Sequence, residues 1–353
     1  MKKILFTGGG SAGHVVPNLA LIYDLQQIGG VNAVYLGTDG IEQRLVGGAG
    51  IRFRRISCPK LVRSLTPKNL AIPFSLFKAV RAARKILREE NPDLVFSKGG
   101  YVSLPVCLAA AKEKIPVLTH ESDLSPGLAT RLIAKKCRRV LTSFPETAKQ
   151  FKNGAFTGSP LRAELFRYAN KAEARKKFPS LRGKPTVLAF GGGSGAAAIN
   201  NAVYACLNEL LKRYDVLHIA GKNNAQNAPK KAGYAAFGYV EDMGAAYACA
   251  DLVVARAGSN TLFELAALKI PALIVPLCRG SRGDQEENAA YFQKRGLIRT
   301  IDEKRLPYEL LPQIDSAISD TALRAALESS PFSQSGNKAI LAAISDALAT
   351  GRA

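Results

Sequence analysis

A chain of 353 residues with 47% hydrophobic content is long enough for two packed domains and too apolar to remain disordered. Its six cysteines are scattered with no CxxC pair, which points to reduced, buried thiols and against a metal site, and no run reaches the roughly 18 apolar residues that cross a bilayer. The formal net charge of +21 is uneven: Arg52 to Arg88 holds eleven Lys or Arg and no Asp or Glu, about half of the total.

Met1-Lys2-Lys3 before Ile4-Leu5-Phe6 resembles the start of a signal peptide. Its apolar run is too short and ends in glycines, so Lys2–Thr7 is predicted as a first strand. A helix over His14–Gln27 follows. Asn32–Leu36, Asp93–Ser97, Pro116–Thr119 and Arg139–Thr142 read as further strands. Phe74–Glu90, Val102–Lys114 and Leu128–Lys136 read as the helices between them. Short β-branched runs alternating with longer helical ones imply a parallel sheet with helices on both faces.

The second half restarts this pattern. Thr186–Phe190, Asp215–Ala220, Leu252–Ala255 and Ala272–Pro276 are predicted strands; Ala196–Arg213, Thr261–Lys269 and Gln285–Arg295 are predicted helices. The boundary falls near Gly158–Arg162, before the charged stretch Asn170–Pro185. The expected division is 1–161, 162–335 and a last segment, 336–353, whose helix Asn337–Leu348 has no destination legible in sequence.

Phe6-Thr7-Gly8-Gly9-Gly10-Ser11 is echoed by Phe190-Gly191-Gly192-Gly193-Ser194, each after a strand and before a helix. Such turns bring backbone N–H groups and a helix dipole to an anion. Two of them favour a pair of Rossmann-like domains facing each other across a cleft, with ligands beyond the carboxyl ends of the strands. Gly8, Gly10 and Gly13 also satisfy GxGxxG, which by itself admits a dinucleotide equally well.

Of three histidines, His14 sits just past the first turn, where an imidazole can take a proton from an attacking hydroxyl. His120 ends a strand and precedes Glu121, placing both at the ligand edge. His218 lies within a strand and reads as interior. Glu264, after Ala257-Gly258-Ser259-Asn260, can accept both hydroxyls of a ribose or serve only as a helix N-terminal charge that complements the dipole. Gln285 and Asn288 follow a polar loop, and amides there suit sugar hydroxyls.

These residues carry a resemblance. Gly9-Gly10-Ser11-Ala12-Gly13-His14 with Pro17, Lys98-Gly99-Gly100-Tyr101-Val102-Ser103, His120-Glu121-Ser122-Asp123 and Gly158-Ser159-Pro160-Leu161-Arg162 lead in chain order to Ala255-Arg256-Ala257-Gly258-Ser259-Asn260 through Glu264, then Asp284-Gln285 with Asn288-Ala289. Together they resemble the MurG family of peptidoglycan N-acetylglucosaminyltransferases, glycosyltransferase family 28. The resemblance implies an α/β chain of GT-B fold and an inverting transfer of N-acetylglucosamine from UDP-GlcNAc. The acceptor is the C4 hydroxyl of the MurNAc unit on undecaprenyl diphosphate; lipid I becomes lipid II for the cell wall. The nearest alternatives are other UDP-sugar enzymes of this fold, a glycolipid glycosyltransferase or a UDP-GlcNAc 2-epimerase.

The same resemblance implies donor contacts at Ser11, Ala12, Gly13, Asp123, Arg162, Ser194, Val240, Ser259, Asn260, Thr261, Glu264 and Gln285. Glu264 falls on the ribose and Gln285 on the GlcNAc. It implies an acceptor side at Gly10, Gly13, His14, Gly99, Tyr101, His120 and Glu121, with His14 as catalytic base. Two departures stand out. Many members of the family have Asn at the position of Asp123, and an ungapped match puts Gly193 where a serine is common, with Ser194 one residue later. With no Asp-x-Asp in the chain, no metal and no cofactor are expected.

Lys78, Arg81, Lys85 and Arg88 recur at helical spacing beside Phe74 and Phe77. Cations beside exposed apolar side chains suit an anionic bilayer surface. The expected location is therefore peripheral, on the cytoplasmic face of a bacterial cell membrane. The basic run has no recognisable RNA- or DNA-binding module, so nucleic acid is not an expected partner. A nicotinamide-dependent oxidoreductase would use the first glycine turn and leave the second turn and Glu264 without a role.

Overall fold

The computed structural model describes residues 1–59, 72–192, 197–277 and 283–351. The chain divides into two compact units, Met1–Leu161 with Ser335–Ala353, and Arg162–Gln334.

The first unit is built on seven parallel strands: β1 (Lys2–Thr7), β2 (Val31–Gly37), β3 (Arg52–Arg55), β4 (Leu94–Ser97), β5 (Val117–Glu121), β6 (Arg139–Thr142) and β7 (Gly154–Phe156). They lie in the order β3-β2-β1-β4-β5-β6-β7. The central strands are apolar along their length because helices cover both faces. On one face α1 (Ala12–Ile28) and α2 (Ile41–Gly48) pack with the last helix, Asn337–Ala349. Ile340, Ala343, Ile344 and Ala347 of that helix join Ile4, Phe6, Val15 and Leu21 in one core. On the other face α3 (Ile72–Glu90), α4 (Ser103–Lys112) and α5 (Leu128–Ile133) cover the sheet through Val80, Leu87, Val106 and Ile133.

The second unit has six parallel strands: β8 (Thr186–Phe190), β9 (Asp215–Ile219), β10 (Tyr234–Phe237), β11 (Leu252–Ala255), β12 (Ala272–Ile274) and β13 (Arg299–Thr300). Their order is β10-β9-β8-β11-β12-β13.

In both sheets the chain winds outward from a central pair and then reverses. The reversal lies between β1 and β4 in the first unit and between β8 and β11 in the second. There the connections leave in opposite directions and open a crevice at the carboxyl ends of the strands. Thr7 pairs with Ser97 at the end of the first pair, and the Lys98 N–H donates to the Thr7 carbonyl at 2.9 Å. The two glycine-rich segments of the first half therefore leave the sheet side by side.

The segments on either side of the chain's two passages between units are tied together within the first. The Gly336 N–H donates to the Ser159 carbonyl (2.8 Å). Asn337 accepts from the Leu161 N–H (2.8 Å) and donates to the Leu161 carbonyl (2.9 Å).

Several elements begin elsewhere than periodicity alone predicts. The first helix starts at Ala12, putting His14 inside its first turn, and the helix read as Thr261–Lys269 is Ser259–Ala267. Leu128–Lys136 is an α-helix only to Ile133, followed by a 3₁₀ turn over Ala134–Lys136. The edge strands β3, β7, β10 and β13 are absent from the sequence reading because they are short and lack an apolar β-branched run, with arginine in β3 and β13, glycine in β7 and two alanines in β10.

Candidate active site

The first glycine turn is held from beneath. The Tyr35 hydroxyl donates to the Gly8 carbonyl (2.8 Å), and the Asn18 amide donates to the Thr7 carbonyl (3.1 Å). Glu42, 1% exposed, accepts the Gly10 N–H (2.9 Å) and the Thr38 hydroxyl (3.1 Å). A Cβ at Gly9 would overlap the Glu42 carboxylate.

The Lys98–Tyr101 turn packs directly on the first. Gly100, at φ +80°, abuts the Gly9 carbonyl, and a Cβ there would fall 2.8 Å from His14 Cδ2. At Gly10, φ +88°, a Cβ would fall 2.8 Å from the Tyr101 ring. Glycine at these two facing positions permits both the left-handed backbone and the approach. The structure thus brings together Gly10, His14, Gly99 and Tyr101.

His14 is half-buried, with Nδ1 3.2 Å from the Ser11 hydroxyl. Its Nε2 faces the Gly99–Gly100 turn, 3.2 Å from where a Gly100 Cβ would stand. Ser11 is the residue preceding the helix, and its hydroxyl serves His14 instead of capping a helix N–H. Ala12 and Gly13 open the helix between them.

His120 and Glu121 turn inward. The His120 ring is fully buried, its Nε2 2.9 Å from the Gly158 carbonyl, and burial holds its pKa well below the usual imidazole range. Glu121 accepts four hydrogen bonds: from the N–H groups of Ser122 (2.9 Å), Asp123 (3.1 Å) and Gly127 (3.0 Å), and from the Thr130 hydroxyl (2.6 Å). The sequence puts both side chains at the ligand edge. The structure buries both, with Glu121 shaping the loop that carries Asp123.

Lys98 is a charged residue that sequence reasoning quoted and did not select. It is 4% exposed, and its ammonium contacts the Ser122 hydroxyl. Burial lowers its pKa to about 8 against the opposing pull of Glu121 and Asp123.

In the second unit Arg162, Tyr247 and Glu264 form one cluster. The Tyr247 hydroxyl donates to Glu264 Oε2 (2.9 Å), and the Arg162 guanidinium lies 3.5 Å from Oε1. Burial raises the Glu264 pKa, while Arg162 and the Tyr247 hydrogen bond oppose the shift. Arg162 Nε is buried with no hydrogen-bond partner among the described residues. Such a donor in a native fold calls for a partner.

Ser259, Asn260 and Thr261 form the first turn of the helix that carries Glu264, beyond β11. Val240 is buried in the segment after β10. Gln285, in the first turn of helix Asp284–Lys294, accepts the Leu277 N–H through its amide oxygen (3.1 Å). Ser194, Gly193 and the loop residues Ser281 and Arg282 lie outside the described residues. Among the described residues no His, Cys, Asp and Glu group could hold a metal ion, and no helix is long and apolar enough to cross a membrane.

Comparison with known proteins decides the family. Residues 4–142 match the glycosyltransferase family 28 N-terminal domain, and residues 186–341 match the glycosyltransferase family 28 C-terminal domain. The chain belongs to glycosyltransferase family 28. A relative from Clostridium kluyveri is 46% identical over 317 residues, covering 88% of this chain and 89% of its own. That protein is a UDP-N-acetylglucosamine–N-acetylmuramyl-(pentapeptide) pyrophosphoryl-undecaprenol N-acetylglucosamine transferase. Among solved structures, Acinetobacter baumannii MurG superposes with a TM-score of 0.74 at 25% identity, covering 98% of this chain and all of that one. The calicheamicin glycosyltransferase CalG4, at 16% identity and a TM-score of 0.73 over 99% of this chain and 98% of its own, shares the fold alone. Two parallel-sheet α/β domains on this pattern are the GT-B architecture of the family 28 enzymes.

In the α3 region the basic segment divides. Arg52 and Arg54 pair with Glu90, Arg55 pairs with Asp39, and Arg84 and Arg88 share Glu113 at 2.6 and 2.9 Å. Arg88, placed by helical spacing in the stripe with Lys78, is committed to that carboxylate. Phe74 and Phe77 are 64% and 60% exposed, and Lys78 sits 4.5 Å over the Phe74 ring. Arg81 and Lys85 are exposed on the same helix. Leu70 lies outside the described residues.

Proposed function

We infer that this enzyme transfers N-acetylglucosamine from UDP-GlcNAc to the C4 hydroxyl of the MurNAc unit of lipid I, giving lipid II. One observation carries the substrates: the nearly full-length match, at 46% identity, to a relative named for that transfer. The geometry of the first turn supports the chemistry.

In this reading the acceptor hydroxyl attacks the anomeric carbon. The new C–O bond forms as the bond from that carbon to the β-phosphate oxygen breaks, with inversion. With a proton on Nδ1 shared with Ser11, His14 presents the lone pair of Nε2 and takes the hydroxyl proton there. Gly99 and Gly100 bring backbone without side chains close to that nitrogen, and the Tyr101 ring packs against Gly10.

UDP departs with its charge met in the second unit. Arg162 supplies a cation and the buried Nε donor, and helix Ser259–Ala267 supplies N–H groups at Ser259, Asn260 and Thr261. Glu264 accepts the ribose hydroxyls, held by Tyr247 and Arg162. Val240 offers backbone to the donor, and Gln285, fixed by the Leu277 N–H, meets the sugar. Ser194 belongs to the phosphate turn of this reading. The family resemblance also assigns donor roles to Ser11, Ala12, Gly13 and Asp123.

Phe74, Phe77, Lys78, Arg81 and Lys85 form the surface that meets anionic lipid, where each cation contributes about 1 kcal/mol. The enzyme then works as a peripheral protein at the cytoplasmic face of the membrane that holds its acceptor.

The test is radiolabelled UDP-GlcNAc with and without a lipid I analogue. Label in a lipid-linked disaccharide supports the assignment. UDP-ManNAc formed without acceptor, or no transfer to the lipid, overturns it.

A further inference from the structure

We propose that Lys98 is a positioning residue, its buried ammonium holding the Ser122–Asp123 segment in the place from which Asp123 meets the sugar nucleotide. The inference rests on the reading of Asp123 as a donor contact and adds the device that places it.

Lys98 follows β4 at the reversal point of the first sheet. Its N–H is bound to the Thr7 carbonyl, and its Cβ lies 3.2 Å from where a Gly8 Cβ would stand, so the stem runs against the first glycine turn. The ammonium reaches the Ser122 hydroxyl. One side chain thereby links the turn that leads to His14 with the loop that carries Asp123.

A lysine 4% exposed is costly unless its charge is used, and a methionine of similar length would fill the same space without that cost. Among the described residues the ammonium makes no ion pair within 4.0 Å. Glu121 is already engaged by four donors and acts on Lys98 only through space. The acidic residue next to Ser122 in the chain is Asp123. Burial lowers the Lys98 pKa while Glu121 and Asp123 raise it, the electrostatic signature of the same arrangement. The Lys98 charge in turn helps to keep His120 neutral.

The experiment compares wild type, Lys98→Met, Ser122→Ala and the double variant carrying both substitutions, in steady-state transfer from UDP-GlcNAc. Lys98→Met is expected to raise the donor KM about tenfold, the value of one hydrogen bond to a charged group, with kcat changed less than about threefold. Because Lys98 acts through the Ser122 hydroxyl, removing both groups is expected to raise the donor KM no further than Lys98→Met alone. A role in packing alone predicts that the two losses add. Ser122→Ala removes the hydroxyl that Lys98 reaches and is expected to raise the donor KM several-fold, which keeps the test decisive if Lys98→Met does not fold. An unchanged KM in Ser122→Ala, or additive losses in the double variant, overturns the proposal. Absence of transfer by wild type would instead strike the functional reading.

Discussion

Glu42 accepts the backbone N–H of Gly10 at 2.9 Å, so a carboxylate of the chain itself occupies the underside of the first glycine turn. In a dinucleotide site the N–H groups of such a turn face a pyrophosphate. Here one of them is already met by a buried anion, and a second anion at that N–H would be repelled. The GxGxxG spacing of Gly8, Gly10 and Gly13 is therefore met by a turn that shapes the surroundings of His14.

Glu42→Ala leaves the Gly10 N–H and the Thr38 hydroxyl without their buried acceptor. A loss of about 1–3 kcal/mol is expected in denaturant unfolding, with a fall in kcat. Glu42→Gln keeps an acceptor oxygen and is expected to retain most of both. Equal effects of the two variants would show that the acceptor is not what matters.

Tyr247 supports the Glu264 carboxylate against a burial that raises its pKa. If ribose recognition needs the ionised form, donor affinity falls as pH drops through that raised value. The Tyr247 hydrogen bond lowers the Glu264 pKa, so Tyr247→Phe moves the midpoint of this loss to higher pH. Titration of UDP affinity against pH in the two proteins checks it. Coincident midpoints would exclude Glu264 as the titrating group.

His218 tests the interior of the second unit. Its ring is fully buried, with Nδ1 2.9 Å from the Tyr234 hydroxyl and Nε2 2.9 Å from Asn200 Oδ1. Burial lowers its pKa to about 4 from 6.5. Below pH 6.5 the unfolded chain binds a proton that the folded chain refuses, so stability falls as pH drops from 6.5 toward 4. The shift corresponds to roughly 3 kcal/mol at most. His218→Gln is expected to flatten that limb of the stability profile measured by urea unfolding, and an unaltered limb would assign it to other groups.

Phe74 and Phe77 lie exposed on α3 beside Lys78, Arg81 and Lys85. Charge reversal at Arg81 and Lys85 is expected to weaken co-sedimentation with anionic vesicles at least tenfold, since two cations at about 1 kcal/mol each become anions. Salt is expected to weaken wild-type binding in the same direction. Binding indifferent to salt and to anionic lipid would remove the patch from the account.

The strands that pack on both faces were legible from sequence because double burial leaves continuous apolar runs, as in Ile4-Leu5-Phe6 and Leu252-Val253-Val254. The edge strand Arg52–Arg55 carries three arginines and shows no such run. The two turns that pack together around His14 were legible as turns because glycines mark them. Lys98, Glu42 and Tyr247 were not selected, because their burial arises from contacts distant in sequence: the β1–β4 reversal, the approach of α2 to the first turn, and the packing of helix Met243–Cys249 near Glu264. His120 and Glu121 were placed by position along the strand, which does not tell which way a side chain turns after its last ladder bond. Arg88 was assigned by helical spacing, which is blind to Glu113 on the neighbouring α4 end.

The central claim is that GlcNAc transfer to lipid I takes place at the first glycine turn with His14 as the base. Transfer from radiolabelled UDP-GlcNAc to a lipid I analogue, measured side by side for wild type and His14→Ala, tests it most directly. The account predicts labelled lipid II from wild type and a kcat lower by about 10²–10⁴ in the variant, with donor KM little changed. A variant slowed less than about tenfold, in a wild type that does transfer, would contradict the assignment of the base, and a wild type that leaves the lipid unlabelled would contradict the reaction.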